Sequence, residues 1–168
     1  MTPTSDRSAG PRGRAVPVRG LLIALVAVVV VSLDQLTKEW AVRHFSDAPR
    51  HVVWTLQFVV QYNSGIAFSQ ATGATSVVTI LALGVLVAML IFARRTTGMF
   101  TAVIFGLIIG GAAGNLADRL VRDHGGAVVD WIDLRWWPVF NVADAAVSIG
   151  VVLVLARTLL TPDGPRAG

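Results

Sequence analysis

The chain contains no cysteine among its 168 residues. That absence excludes disulfide bonds, thiolate metal ligands, cysteine nucleophiles and lipid anchors attached to cysteine. Its three histidines (His44, His51 and His124) show neither the H-x-x-x-H nor the H-E-x-x-H spacing of zinc peptidases. We therefore expect no metal site and no other cofactor.

Charged residues are also scarce, at 14% of the chain, whereas ordinary soluble domains contain about 25%. Hydrophobic residues make up 54%, and the mean hydropathy is +0.67. A soluble domain of this size has too much surface to cover with so few charges, and a disordered chain would be far more polar. The composition therefore indicates a polytopic membrane protein with one domain.

Gaps between the charged residues mark four apolar stretches, each near the 20 residues that a membrane-spanning helix needs. The first stretch is interpreted as a retained helix because no small-x-small cleavage site follows it. The fold predicted is all-α, with spans at about 19–38, 74–93, 99–118 and 139–158. They form a single domain over 18–160, between disordered cytoplasmic tails at 1–17 and 161–168.

Basic residues are concentrated on one side of this predicted bundle. That side, made of the termini and the turn at 94–98, holds eight basic and two acidic residues, against six basic and eight acidic on the other. Since cytoplasmic segments are enriched in Lys and Arg, both termini are predicted to be cytoplasmic. The pI near 11.0 thus reflects topology, and we expect no nucleic-acid partner.

Polar residues occur at similar depths in three of the predicted spans. At 1.5 Å per residue, Asp34, Asp144 and Asn115 lie about 22, 20 and 26 Å from the basic ends of their helices. Such groups in the outer part of a hydrocarbon core are costly, which makes a functional site the first interpretation. A single one would more simply supply a hydrogen bond between helices.

The motif Asn–aliphatic–Ala–Asp occurs twice at this depth, at 115–118 and 141–144. Residues three apart share a helix face, so each copy can direct an amide and a carboxylate at one place. Paired carboxylates that share a proton can activate water without metal or covalent intermediate. Asp144 is the first candidate for such a pair. Its partner could be Asp118, by the repeat, although Arg119 beside it favours an ordinary ionised carboxylate, or Asp130, which lies in an apolar run.

Five motifs occur in order between about residues 20 and 157. They are Asp34-Gln-Leu-Thr-Lys38, Asn63-Ser-Gly-Ile-Ala-Phe68, Gly110-Gly-Ala-Ala-Gly-Asn-Leu-Ala-Asp-Arg119, Val128-Val-Asp130 and Phe140-Asn-Val-Ala-Asp144. On a four-span frame of this polarity, they resemble the bacterial lipoprotein signal peptidases (signal peptidase II). The resemblance implies an aspartic endopeptidase of the bacterial cytoplasmic (inner) membrane. Such an enzyme acts near the outer face on diacylglyceryl-modified prolipoproteins, cutting before the lipid-modified cysteine.

The resemblance also implies roles for individual residues. It makes Asp130 and Asp144 the catalytic pair, and it makes Asp34 and Lys38 structural residues at the outer end of the first helix. It further implies a small extracytoplasmic sheet and an interfacial helix from about 39–68 and 127–138, contact with membrane lipids, and inhibition by globomycin-type antibiotics. The substrate-binding residues that it implies are Asn63, Gly65, Gly111, Asn115, Asp118, Arg119, Asn141 and Ala143.

Two other functions fit a small polytopic protein. A transporter or proton-coupled channel also carries intramembrane Asp and Asn, but it should show polar residues through the midplane and the basic half. Here 74–93 and 147–156 are almost free of them. A scaffold assembled through the glycine-rich third span would leave the aspartates at matched depth unexplained.

Overall fold

A computed structural model describes residues 18–65 and 74–160. Four helices in this part are long and apolar enough to cross a membrane: α1 (Val18–Phe45), α2 (Ala74–Ala93), α3 (Met99–Val121) and α4 (Val142–Leu160). Three strands form a small sheet: β1 (Arg50–Val53), β2 (Leu56–Asn63) and β3 (Val128–Asp133). The tails predicted at 1–17 and 161–168 lie outside the described residues.

The helices confirm the four expected spans, with differences at their ends. The second runs from Ala74 to Ala93 as expected, and the third continues three residues further, to Val121. The fourth begins at Val142 instead of 139, because Phe140 still forms a β-bridge with Ile132. Hydropathy locates an apolar stretch, but hydrogen bonds made outside the bilayer determine where the helix begins.

The first helix is the largest departure, since it runs to Phe45 and not to Lys38. Its last two turns bury Ala41 and Phe45 against Trp131 of the sheet. Residues 39–45 therefore continue α1, and the described part of 39–68 holds no separate interfacial helix. The extra turns pack the end of the first helix against the sheet. We call this end of the helix bundle the sheet end.

The sheet expected from 39–68 and 127–138 is present and fully antiparallel, in the order β1-β2-β3. Its register shifts between Phe58 and Gln61, which places Gln61 opposite Asp130. Edge-to-face contacts join Trp131 to Phe58 and Trp40, with ring centroids 5.2 and 5.5 Å apart. This aromatic packing fixes β3, and with it Asp130, over the end of α1.

Helix α3 packs against the other three helices, and its glycines permit the close approach. A Cβ at Gly111 would lie 2.4 Å from the carbonyl oxygen of Ala143, and one at Gly114 would lie 2.7 Å from Oδ2 of Asp34. Both distances are too short for a side chain. Glycine therefore lets α1 and α4 meet α3 at the depth of the polar residues.

We expect Gly111→Ala to destabilise the protein by about 1–3 kcal/mol, the usual cost of overpacking. The new methyl group would push the first turn of α4, which carries Asp144, away from α3. Thermal unfolding in detergent, followed by tryptophan fluorescence, measures the loss. Gly84→Ala is the matched control, because a Cβ at Gly84 meets nothing within 4 Å. Equal melting temperatures for the two variants would contradict the packing role.

Candidate active site

Two aspartates lie where the sheet meets the helices. Asp130 is in β3 and only 1% exposed, whereas Asp144 is in the first turn of α4 and half-buried. The β-branched run around Asp130 favours a strand, and Asn141 before an apolar helix favours a helix start. The chain segment between β3 and α4 therefore brings Asp130 close to the start of α4, where Asn141 contacts both Asp130 and the backbone of Asp144.

The start of α4 is a reciprocal capping arrangement that includes Asp144. The backbone N–H of Asp144 donates to Oδ1 of Asn141 at 2.9 Å, and the backbone N–H of Asn141 donates to Oδ2 of Asp144 at 3.2 Å. This is the geometry of a capping box, with Asn at the cap and Asp three residues later. The Asp144 carboxylate is thus held in place by the backbone of its own helix.

The Asn141 side chain also connects the two aspartates. Its amide donates to Oδ1 of Asp130 at 2.7 Å, and Asn63 donates to the other carboxylate oxygen, Oδ2, at 2.9 Å. On the other side, the amide of Asn115 donates to Oδ1 of Asp144 at 2.7 Å. Three asparagines therefore orient the pair without adding a charge to it.

The pKa of Asp130 is raised to about 6. Burial is the main cause, and the nearby charge of Asp144 raises the pKa further, while hydrogen bonds from Asn63 and Asn141 partly oppose the shift. A carboxyl group that holds its proton to this pH can share it with a neighbouring carboxylate.

The raised pKa predicts how Asp130→Asn changes stability with pH. In the wild-type protein, the contribution of Asp130 to the free energy of unfolding falls as pH rises from 3.8 to about 6, because the unfolded chain loses the Asp130 proton before the folded chain does. Above about pH 6, this loss in the free energy of unfolding is about 3 kcal/mol. We expect the melting temperature of the variant, relative to wild type, to be higher at pH 7.5 than at pH 4. A difference that does not change with pH would contradict the raised pKa.

A buried cation lies beneath the pair. The Nζ of Lys38 is 2.8 Å from Oδ2 of Asp34 and 2.9 Å from Oδ2 of Asp118, and all three side chains are 0% exposed. Lys38 also donates to Oδ1 of Asn115 at 3.0 Å. Buried charges are tolerated when they are paired and hydrogen-bonded, which holds here for each member.

The two carboxylates paired with Lys38 hold the backbone beside each candidate catalytic residue. Oδ2 of Asp118 accepts the N–H of Val129 at 3.0 Å, and Oδ1 of Asp34 accepts the N–H of Ala143 at 2.9 Å. Val129 and Ala143 each immediately precede one aspartate of the pair. The position of Asp130 relative to Asp144 therefore depends on one buried ion cluster, made of Asp34, Lys38 and Asp118.

The other predicted substrate-binding residues lie around the pair and this cluster. Arg119 donates to the carbonyl of Asn115 at 3.3 Å, and its Nε is buried without a partner in the described part of the chain. Asn63 accepts the N–H of Gly65 at 2.8 Å, in a turn where Gly65 adopts a φ of +81°. Gly111 and Ala143 lie in the α3–α4 contact. Residues 66–68 of the Asn63 motif lie outside the described residues.

Sequence reasoning missed two polar contributors. Gln35 donates to both Asp34 and Asp118, at 3.1 and 2.9 Å, and Arg122 donates to Asp118 at 3.1 Å. Arg122 could have been found from its i+4 spacing to Asp118. The described residues contain no cluster of three or more His, Cys, Asp or Glu suited to a metal ion.

Two cavities adjoin the pair and share Trp137. One, of about 600 Å³, opens between the end of β2 and the segment that follows β3, and it includes Asn63 and Gly65. The other, of about 260 Å³, runs along α4 past Asp144 to Ser148 and Ile149. The first has polar and apolar walls and contains Asn63, which contacts Asp130, whereas the second is mainly apolar and is lined by Asp144 itself.

Comparisons with known proteins agree on one family. A family model described as Signal peptidase (SPase) II matches residues 26–160. A lipoprotein signal peptidase of Rhodococcus jostii is 41% identical over 94% of this chain and 86% of its own length. One from Mycobacterium tuberculosis is 40% identical over 98% and 86%.

Solved structures also match the fold. Two structures of a bacterial membrane enzyme, determined by the in meso method, are each 30% identical to the chain. The one at 1.9 Å resolution gives a TM-score of 0.73 over 83% of this chain and 94% of that one. The one at 2.3 Å gives 0.70 over 82% and 87%.

Proposed function

The chain belongs to the signal peptidase II family, and we propose that Asp130 and Asp144 together carry out its peptidase reaction. The family makes the protein an aspartic protease that removes signal peptides from lipoproteins. The observation that carries the proposal is the Asn141 side chain. It contacts the carboxylate of Asp130 and caps the helix turn that holds Asp144, so two acids converge on one place.

In the proposed reaction, the two carboxyl groups share one proton. The ionised carboxylate removes a proton from water, the water oxygen bonds to the scissile carbonyl carbon, and the protonated partner donates to the carbonyl oxygen. The tetrahedral intermediate collapses when the ionised carboxylate takes a proton from one hydroxyl of the gem-diol, the C–N bond breaks and the leaving nitrogen receives a proton from the other carboxyl group. Neither metal nor covalent intermediate enters, and the pair returns to its starting protonation.

Arg119 and Asn63 are placed to bind the peptide around the cut. Arg119 has a buried Nε–H without a partner in the described residues, which favours a peptide carbonyl as its acceptor. Asn63, on the exposed end of β2, lines the larger cavity and contacts Asp130. Asn115, Asp118 and Asn141 support the substrate site by orienting the pair, and Gly111 and Ala143 do so by close helix packing.

The cavities suggest how a prolipoprotein would lie. The signal peptide would follow the apolar cavity along α4, and the polar cavity near Asn63 and Gly65 would take the chain after the cut. The diacylglyceryl chains on the substrate cysteine would remain in the bilayer, which places the cut just before that cysteine. Globomycin-type antibiotics are expected to occupy the same site.

The charge distribution supports an orientation in the bacterial inner membrane. The basic segments at Arg19, Arg94, Arg95 and Arg157 lie at the helix ends opposite the sheet, so this end is proposed to be cytoplasmic. The aspartate pair then lies near the outer face. A lipid-anchored substrate presents its cleavage site at that same level, where water can also enter.

Purified protein in detergent tests the function directly. We expect it to cleave a diacylglyceryl-modified prolipoprotein and to leave the same precursor uncleaved when its cysteine is unmodified, as followed by the mobility shift on gel electrophoresis. Cleavage of both precursors at the same rate would contradict lipid recognition. Cleavage of neither would contradict the proposed substrate.

A further inference from the structure

A cavity of about 480 Å³ lies at the end of the bundle opposite the aspartates. It lies between the start of α1 on one side and the end of α2 with its following turn on the other. It shares no residue with the two cavities beside Trp137. The proposed peptidase chemistry therefore leaves this cavity without a role. Its lining residues are Arg19, Gly20, Ile23, Leu90, Ala93, Arg94 and Thr96.

The polar part of the cavity consists of cations and one hydroxyl group. Arg19 and Arg94 take part in none of the ion pairs found among residues 18–65 and 74–160. Arg157, at the same end, instead donates to the hydroxyl of Thr101. The Oγ1 of Thr96 is buried and has no hydrogen-bond partner in the described part of the chain. Such a set of donors without an acceptor is suited to an anion.

The remaining wall of the cavity is apolar. Ile23, Leu90 and Ala93 form it. Helices α1 and α2, which border the cavity, each pack against α3. A ligand that fits both parts of the cavity has an anionic head and a hydrocarbon chain.

We propose that this cavity binds one anionic phospholipid of the membrane. Its phosphate lies between Arg19, Arg94 and the Thr96 hydroxyl, and an acyl chain extends along Ile23 and Leu90. Basic pockets between transmembrane helices on the cytoplasmic side bind anionic headgroups in this way. The N-terminal residues 1–17 are a poor alternative occupant, because they carry three arginines and one aspartate.

Native mass spectrometry of the delipidated full-length protein tests this binding with phosphatidylglycerol, phosphatidylcholine and inorganic phosphate as probes. We expect phosphatidylglycerol to bind more tightly than phosphatidylcholine, and Arg94→Gln to weaken its binding about fivefold. The double variant Arg19→Gln/Arg94→Gln should weaken it about 25-fold. Thr96→Val should also weaken it. Arg95→Gln is the matched control, since Arg95 is the next residue and is also exposed, but it does not line the cavity.

Three results would overturn the proposal. Equal losses in Arg94→Gln and Arg95→Gln would indicate attraction to general surface charge. Equal affinity for the two phospholipids in the wild-type protein would exclude recognition of the anion. Binding of inorganic phosphate as tight as that of phosphatidylglycerol, and equally sensitive to Arg94→Gln, would indicate a simple anion site. Since each readout is lipid binding, all of them are independent of the proposed peptidase activity.

Discussion

Asp144→Asn should lower kcat/KM for prolipoprotein cleavage by at least about 1,000-fold. The amide cannot exchange a proton with water or with Asp130, so the shared-proton mechanism stops. Its oxygen can still accept the N–H of Asn141, so the start of α4 and the fold should survive. Asp130→Asn should be equally inactive, and the double variant should be no worse than either single one, because the two groups act as a unit. Initial cleavage rates of the four proteins measure this.

Asp133→Asn is the matched control for the pair, since Asp133 lies on the same strand but contacts Gln57 and the backbone of Arg135. It should retain most of the activity. Full activity in either Asp130→Asn or Asp144→Asn would refute the pair. An inactive Asp118→Asn together with an active Asp130→Asn would instead support the pairing that the sequence repeat first offered.

Lys38→Met should produce the largest loss of stability, about 3–5 kcal/mol. The substitution conserves much of the side-chain volume but leaves Asp34 and Asp118 buried, close together and without their shared cation. Because those carboxylates hold the N–H groups of Val129 and Ala143, activity should fall as well. Thermal unfolding in detergent and initial cleavage rates measure the two effects separately.

Two further variants separate charge from packing at this cluster. Arg43→Met removes an exposed cation from the same helix, where it pairs with Glu39, and should change the melting temperature little. The triple variant Asp34→Asn/Lys38→Met/Asp118→Asn removes all three charges and keeps an oxygen for each backbone N–H. It should be more stable than Lys38→Met alone. If Lys38→Met is as stable as Arg43→Met, the charge of Lys38 does not stabilise the buried cluster.

The apolar spans and the depth of the polar residues could be predicted from the sequence, because both follow from hydrophobicity and helix rise. Asp34, Asn115 and Asp144 were expected at similar depths, and the structure brings them into one hydrogen-bonded group. The partner of Asp144 was not decided by spacing. Asp118 and Asp130 differ in their tertiary partners. The amino-acid sequence does not show which cation is buried beside which carboxylate, because that depends on how the helices and strands pack.

The cations around Asp118 also differ from what its sequence neighbour indicated. Arg119 follows Asp118 in the sequence and was expected to favour the ionised form of its carboxylate, but consecutive helix positions point in different directions. In the structure Asp118 pairs with Lys38 and Arg122, and Arg119 contacts the backbone of Asn115.

The start of the fourth helix was also predicted at the wrong residue. Asn141 and Asp144 have the spacing of a capping box, yet the span that they open was predicted to begin at 139 and not at Val142.

The anchoring of Val129 and Ala143 has a consequence for local unfolding. Each amide is held by a carboxylate that shares the ammonium group of Lys38, so neither bond opens without disturbing the charges around the other. Strand β3 and the first turn of α4 therefore belong to one cooperative unit, although 14 positions separate these amides in the chain. In hydrogen-exchange terms, the two amides would share a single opening event. The two halves of the candidate active site are formed, and lost, together.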